Sequence, residues 1–142
     1  MLSTLEFIAT FTCALFAGAA LYINVAEHPA RMTLPTRSAT QQWAPSYQRA
    51  TWMQAPLAVI SLVTGVSAWW LGGGPKLLVA GCLIGAVVPF TLLGIMPTNH
   101  RLLAPGRDLD SAETRALLAA WGRLHRVRTL LSLAALILYL AR

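Results

Sequence analysis

Four long, predominantly apolar runs constrain this chain more than any other feature: residues 5–26, 51–71, 76–96, and a fourth from near 117 to 139 or 140. Crossing a hydrocarbon core about 30 Å thick takes roughly 20 helical residues, and each run has that length. The runs are too long and continuous for barrel strands, and lipid requires every backbone donor and acceptor to be satisfied internally. The chain is therefore expected to be all-α, an integral membrane four-helix bundle forming a single domain over residues 1–142. Its helices are predicted at about 4–28, 46–71, 76–96 and 111–141. A composition of 56% hydrophobic and 11% charged residues agrees with lipid as the solvent. The first run lacks a basic leader and carries Glu6, so it reads as a permanent span rather than a cleaved signal.

Lys and Arg then set the orientation. Alternating helices put Arg31, Arg37, Arg49, Arg101, Arg107, Arg115, Arg123, Arg126 and Arg128 on one side, against Lys76 and Arg142 on the other. This asymmetry predicts a cytoplasmic basic face with both termini on the extracytoplasmic side. It describes a multi-pass protein of a bacterial-type inner membrane whose polar site faces the cytoplasm. The net charge of +6 reads as topology and attraction to anionic headgroups. Nucleic acid is not an expected partner, because the arginines lie among membrane ends.

Pro29 is expected to end the first helix, leaving a loop from Ala30 to Ala44 before Pro45 starts the second. The Gly72-Gly73-Gly74-Pro75 turn makes helices two and three antiparallel neighbours. Pro89 predicts a kink within helix three, which breaks at Met96 and Pro97. Asp110 with Glu113 resembles a capping box opening helix four near Ser111. Cys13 and Cys82, within apolar spans, are assigned to packing.

Polar residues recur at helical spacing near the basic end. Asn24, Glu27, His28 and Arg31 share one face, with Glu27 and Arg31 at ion-pair spacing; Tyr47, Thr51 and Gln54 share another. Trp121, His125 and Arg128 form a third. Each face has a structural reading beside the functional one. Glu27 and Arg31 can close a helix end, Gln54 can lock onto Asn24, Trp121 can anchor at the interface and Arg128 can snorkel. His125 suits general acid/base work, since an imidazole both donates and accepts a proton near neutral pH. His28, His100 and His125 with Glu27 are the candidates for a metal ion, but none has the short local spacing of a metal motif. No glycine-rich nucleotide loop, activated serine or paired catalytic carboxylate is visible.

Taken in order, these segments resemble the DUF1772 family, which includes the anthrone oxygenase-like membrane proteins. The matching pieces are Leu21 to Arg31, Trp43 with Tyr47, Arg49 and Gln54, Met96 to Asn99, and Trp121 with His125 and Arg128. The resemblance implies a small four-helix membrane protein that oxygenates an anthrone to an anthraquinone without flavin or haem. It also implies Asn24, Glu27, Pro29, Arg31, Asn99, Trp121, His125 and Arg128 as pattern residues, with His100 not required.

The resulting expectation is a cofactor-independent monooxygenase acting on a hydrophobic polycyclic phenol with dioxygen. Its catalytic group comprises His125, Glu27, Asn99, Trp121 and Arg128, and its substrate contacts are Asn24, Arg31, Trp43, Tyr47 and Gln54. His125 acts as base, while Asn24, Asn99, Trp121 or Arg128 stabilises the oxyanion. No cofactor is favoured, and a metal ion is the alternative. The bilayer and a flat aromatic molecule are the expected partners, with homo-oligomerisation left open. Two other readings stand beside it: a metal- or haem-binding redox protein using the three histidines, and a non-catalytic protein that binds lipid or a partner.

Overall fold

The computed structural model describes residues 1–141, in which helix is the only regular secondary structure. Four long helices account for nearly all of it: α1, Leu2–Arg31; α2, Thr36–Trp70; α3, Pro75–Leu102; and α4, Ala112–Leu140. The first three are long and apolar enough to cross a membrane. The fourth has the length, but Arg123, His125, Arg126 and Arg128 interrupt its apolar character midway. Arg142, part of the charge asymmetry above, lies outside the described residues. The outer surface is lipid-like, with Phe7, Phe11, Trp52, Val63, Leu93 and Leu130 all exposed.

Two prolines expected to stop helices do not. Pro29 and Pro97 each follow a widened π-helical turn, Ile23–Glu27 in α1 and Thr91–Ile95 in α3, and the helix then resumes at His28 and at Met96. In a regular α-turn the proline ring meets the carbonyl four residues back. An extra residue in that turn relieves the clash and lets the chain continue. Helix α1 thus reaches Arg31 rather than 28, and α3 reaches Leu102 rather than 96. The kink expected at Pro89 appears as a break at Ala86, between helical segments Pro75–Gly85 and Val87–Phe90.

The predicted loop from Ala30 to Ala44 is also corrected. Only Met32 to Pro35 separate α1 from α2, which begins at Thr36 and carries both Pro45 and Pro56 inside it. Ala39, Thr40 and Trp43 form a buried stripe, while Ser38, Gln41 and Gln42 face outward. That is an amphipathic helix whose polar composition reads as a loop. Pro45, expected at the start of the helix, is its tenth residue.

At the basic end, charged side chains tie the connections together. Arg115 donates to the carbonyls of Met32 and Leu34 in the α1–α2 turn, Arg37 pairs with Asp110 at 2.6 Å, and Arg101 pairs with Glu113 at 2.8 Å. Helix α4 starts as expected, but its cap is Ser111, whose hydroxyl accepts from the Thr114 N–H at 3.1 Å. Asp110 and Glu113 are engaged by arginines instead of forming a capping box.

At the opposite end, small residues let the helices approach closely. A methyl group added at Gly65 would lie 2.1 Å from the Tyr139 hydroxyl, which donates to the Ser61 carbonyl at 3.0 Å. Phe16, Ala58, Ala80, Ile84 and Tyr139 fill this core. Cys13 belongs to it, whereas Cys82 is exposed and does not have the packing role assigned to it. Gly72 turns the α2–α3 connection with φ +95°, a left-handed conformation suited to glycine.

Candidate functional site

Near the basic end, all four helices converge on a cavity of about 30 Å³. Helix α1 contributes Ile23 and Arg31; α2 contributes Ser46, Tyr47, Ala50, Thr51 and Gln54. From α3 come Thr91, Ile95, Met96 and Asn99, and from α4 Trp121, His125 and Arg128. The widened turn Thr91–Ile95 sets the phase of α3 here, so that Met96 and Asn99 face the same space as Thr91.

His125 is 1% exposed. Its Nδ1 lies 2.9 Å from Asn24 Oδ1, and the Thr129 hydroxyl donates to that same oxygen. The Asn24 amide nitrogen donates to the Gly122 carbonyl at 3.2 Å, which fixes the amide with its oxygen toward the imidazole. An oxygen acceptor there requires Nδ1 to carry the proton, and Nε2 is left as the basic nitrogen.

Arg128 is likewise buried. It donates to Gln54 Oε1 at 2.7 Å, and its guanidinium carbon sits 5.3 Å from the centre of the Phe16 ring. Neither contact neutralises its charge. Gln54 therefore joins α2 to α4 through Arg128, not to α1 through Asn24 as its sequence position had allowed. Arg128 does not snorkel to headgroups.

Several buried polar atoms of the lining residues lack a hydrogen-bond partner. They are the donors Gln54 Nε2, Trp121 Nε1 and Arg128 Nε, and the acceptor Asn99 Oδ1. Burying such groups unsatisfied costs about 1–3 kcal/mol each, and all four belong to residues that line this one cavity.

Other residues singled out from sequence lie around this cavity. Glu27 accepts from Arg31 at 2.6 Å and also from Ser46 and Gln42. Neither Glu27 nor Asn24 lines the cavity holding His125. Arg31 does line it, with its charge answered by Glu27. Trp43 stacks on Tyr47 at 4.8 Å and meets Trp121 edge-on at 6.0 Å, forming a layer behind the lining. His28 and His125 flank Trp121, with ring centres 5.3 and 5.0 Å away, and a methyl group at Gly122 would strike His28.

The three histidines do not converge. His100 is exposed, His28 accepts from Arg31 behind Trp121, and His125 is tied to Asn24. Among the described residues no group of three or more His, Cys, Asp or Glu side chains is placed to hold a metal ion. The lining residues missed from sequence are the apolar Ile23, Ala50, Ile95 and Met96 and the hydroxyl-bearing Ser46 and Thr91. Ser46, Ala50 and Gln54 share a spacing of four within the predicted second helix, a signal that was available in the sequence.

The family model for anthrone oxygenase matches residues 43–138, a span containing Gln54, Asn99, Trp121, His125 and Arg128. An anthrone oxygenase of Claviceps purpurea is 31% identical over 111 residues, covering 70% of this chain and 64% of that protein's length. Anthrone oxygenase ptaC of Pestalotiopsis fici is 28% identical over 120 residues, covering 71% of this chain and 82% of the relative. No solved structure matches. With the family model covering well over half of it, the chain belongs to the anthrone oxygenase family.

Proposed function

We propose that this protein is a membrane-embedded oxygenase that uses dioxygen to convert a hydrophobic, polycyclic phenolic substrate of the anthrone type into a quinone, without a resident cofactor. One observation carries the reading. A buried histidine whose Nδ1 proton is fixed by Asn24 lines the same small cavity as three residues with unpartnered donors, Gln54, Trp121 and Arg128.

In this account His125 Nε2 takes a proton from the methylene carbon opposite the substrate carbonyl. The electron pair left behind delocalises through the rings onto the carbonyl oxygen. Arg128 and the donors of Trp121 and Gln54 stabilise that oxyanion, in a setting where fixed dipoles act with little screening. The anion passes one electron to dioxygen, giving superoxide and a carbon radical, and the two combine as a peroxide that recovers the proton from His125. Loss of the remaining carbon-bound hydrogen with cleavage of the O–O bond releases water. One oxygen atom ends in the new carbonyl and the other in that water. Asn99 Oδ1 is free to accept from a substrate hydroxyl, and Tyr47 and Arg31 border the substrate. Trp43 supports Tyr47, and Glu27 holds Arg31 in place.

The whole chain functions as one bundle domain in this reading, with both termini extracytoplasmic and the cavity in the cytoplasmic half of the bilayer. The excess of arginine at the cavity end supports that orientation. Protein reconstituted in lipid should consume one dioxygen per anthrone oxidised. Oxygen uptake no faster than in protein-free lipid would reject the activity.

A further inference from the structure

A second cavity, of about 120 Å³, adjoins the first and shares four wall residues with it: Thr51, Thr91, Met96 and Arg128. Its other walls are Phe16, Ala55, Ala58, Val87, Val88 and Leu92. The Thr51 and Thr91 hydroxyls donate to carbonyls of their own helices, Tyr47 and Val87, so the chamber is apolar apart from Arg128.

Its position follows from the path of α3. Along Pro75–Gly85 this helix packs closely on α2: a methyl group at Gly85 would lie 2.9 Å from Leu62, and one at Gly81 would lie 3.4 Å from the Leu62 carbonyl. Past the break at Ala86 the close packing is lost, and the chamber occupies the gap. Phe16, Ala58 and Val87 at its back are buried, whereas Ala55 and Leu92 are exposed, with Leu92 57% accessible. The mouth therefore opens on the apolar flank of the bundle, where lipid lies, instead of at either aqueous end.

We infer that this chamber admits the aromatic substrate sideways from the bilayer and holds its ring system, while Arg128 guides the oxygen-bearing edge into the polar cavity beside His125. The inference rests on the oxygenase reading for the substrate's identity. Three features specify the occupant. The chamber is apolar and so suits rings. It joins a cavity with unpartnered donors, and so suits rings bearing oxygen. Arg128 borders both cavities, with a cation that favours an anionic oxygen. An apolar cavity of about 150 Å³ is known to take one benzene. At about 120 Å³ and open at its mouth, the chamber is of the size of a single ring. The oxygen-bearing middle ring of a tricyclic molecule then lies toward Arg128 and the polar cavity, and the remaining ring in the mouth between Ala55 and Leu92.

The test uses full-length protein in nanodiscs, with alizarin, a dihydroxyanthraquinone, as an equilibrium probe read by its visible absorption, and anthrone as substrate. Ala58→Leu fills the back of the chamber and Ala55→Trp covers its mouth; Val79→Trp, on the exposed face of α3 away from it, is the control. Both chamber variants should weaken alizarin binding and raise KM for anthrone by about tenfold or more, the scale set by methylene-sized changes in apolar pockets. Val79→Trp should match the wild type. Should Ala58→Leu fail to fold, Ala55→Trp at the exposed surface carries the test. Wild-type alizarin affinity in the folded variants, or no saturable binding by the wild type, would overturn the inference. Chamber-dependent alizarin binding without oxygen uptake would reject the oxygenase reading alone. Oxygen uptake with unchanged KM in both variants would reject the chamber alone.

Discussion

His125 Nδ1 and Asn24 Oδ1 lie 2.9 Å apart although 101 positions separate them in the chain. Asn24 is itself held by donating to Gly122 O and by accepting from Thr129. Its place is to fix a ring orientation and a tautomer, since it does not line the cavity and so does not touch the reacting atoms. Replacing Asn24 with Val should lower kcat by about 10–100-fold, the usual cost of losing a partner that orients a functional histidine. KM for anthrone should change little, because the cavity walls are intact. A loss confined to KM, or to the yield of folded protein with normal kcat, would contradict this role.

Arg128 presents a different dependence. Its charge is buried with a neutral amide and an aromatic face for company, so an anionic intermediate is the partner that best completes it. Arg128→Gln should reduce kcat by about 10²–10³, as for removal of an oxyanion donor. Arg128→Lys should restore little of this, because an ammonium on a flexible stem does not reproduce the fixed planar fork that holds Gln54 and borders the cavity. Steady-state oxygen consumption per folded protein checks both, and full activity in either variant would count against the oxyanion role.

The far end of the bundle should behave as scaffold. Gly65→Ala forces a methyl group against Tyr139, and overpacking of this kind costs about 1–3 kcal/mol. Combining it with Tyr139→Phe removes the nearest atom, the hydroxyl, so the double variant should recover part of the loss beyond additivity. Thermal unfolding in a single detergent measures this. Activity per folded molecule should stay near wild type, and strict additivity would contradict the contact.

How much of this was readable beforehand depended on whether neighbours in space were also neighbours on a helix. The first three helices follow from apolar length, the fourth from its length and its expected start near Ser111, and the Trp121, His125 and Arg128 face follows from spacing within α4. The Glu27–Arg31 pair was legible for the same reason. Gln54 with Arg128, and His125 with Asn24, join different helices and depend on bundle geometry that local spacing does not encode. The prolines misled most. Pro29 and Pro97 look like terminators, yet each is absorbed by a widened turn that leaves no mark in composition. The amphipathic start of α2 was hidden because its outward face is polar and its buried stripe is short.

Orientation in the bilayer has its own check. Ser38 lies at the basic end and Gly74 in the opposite turn; both are exposed, and a side chain at Gly74 meets open space. Cysteines introduced singly at these positions, with Cys13 and Cys82 replaced by Ala, should react oppositely with a membrane-impermeant maleimide. Ser38→Cys should be labelled from the cytoplasmic side and Gly74→Cys from the other. The reverse pattern would invert the proposed topology.

The central claim is that His125 is the base that starts oxygenation. The most direct measurement is the rate of anthraquinone formation from anthrone in air by His125→Ala beside the wild type, at equal amounts of folded protein. The account predicts wild-type turnover with one dioxygen consumed per quinone, and a fall of about 10²–10⁴ in kcat for His125→Ala, the range contributed by a positioned general base. Equal rates for the two proteins would contradict it.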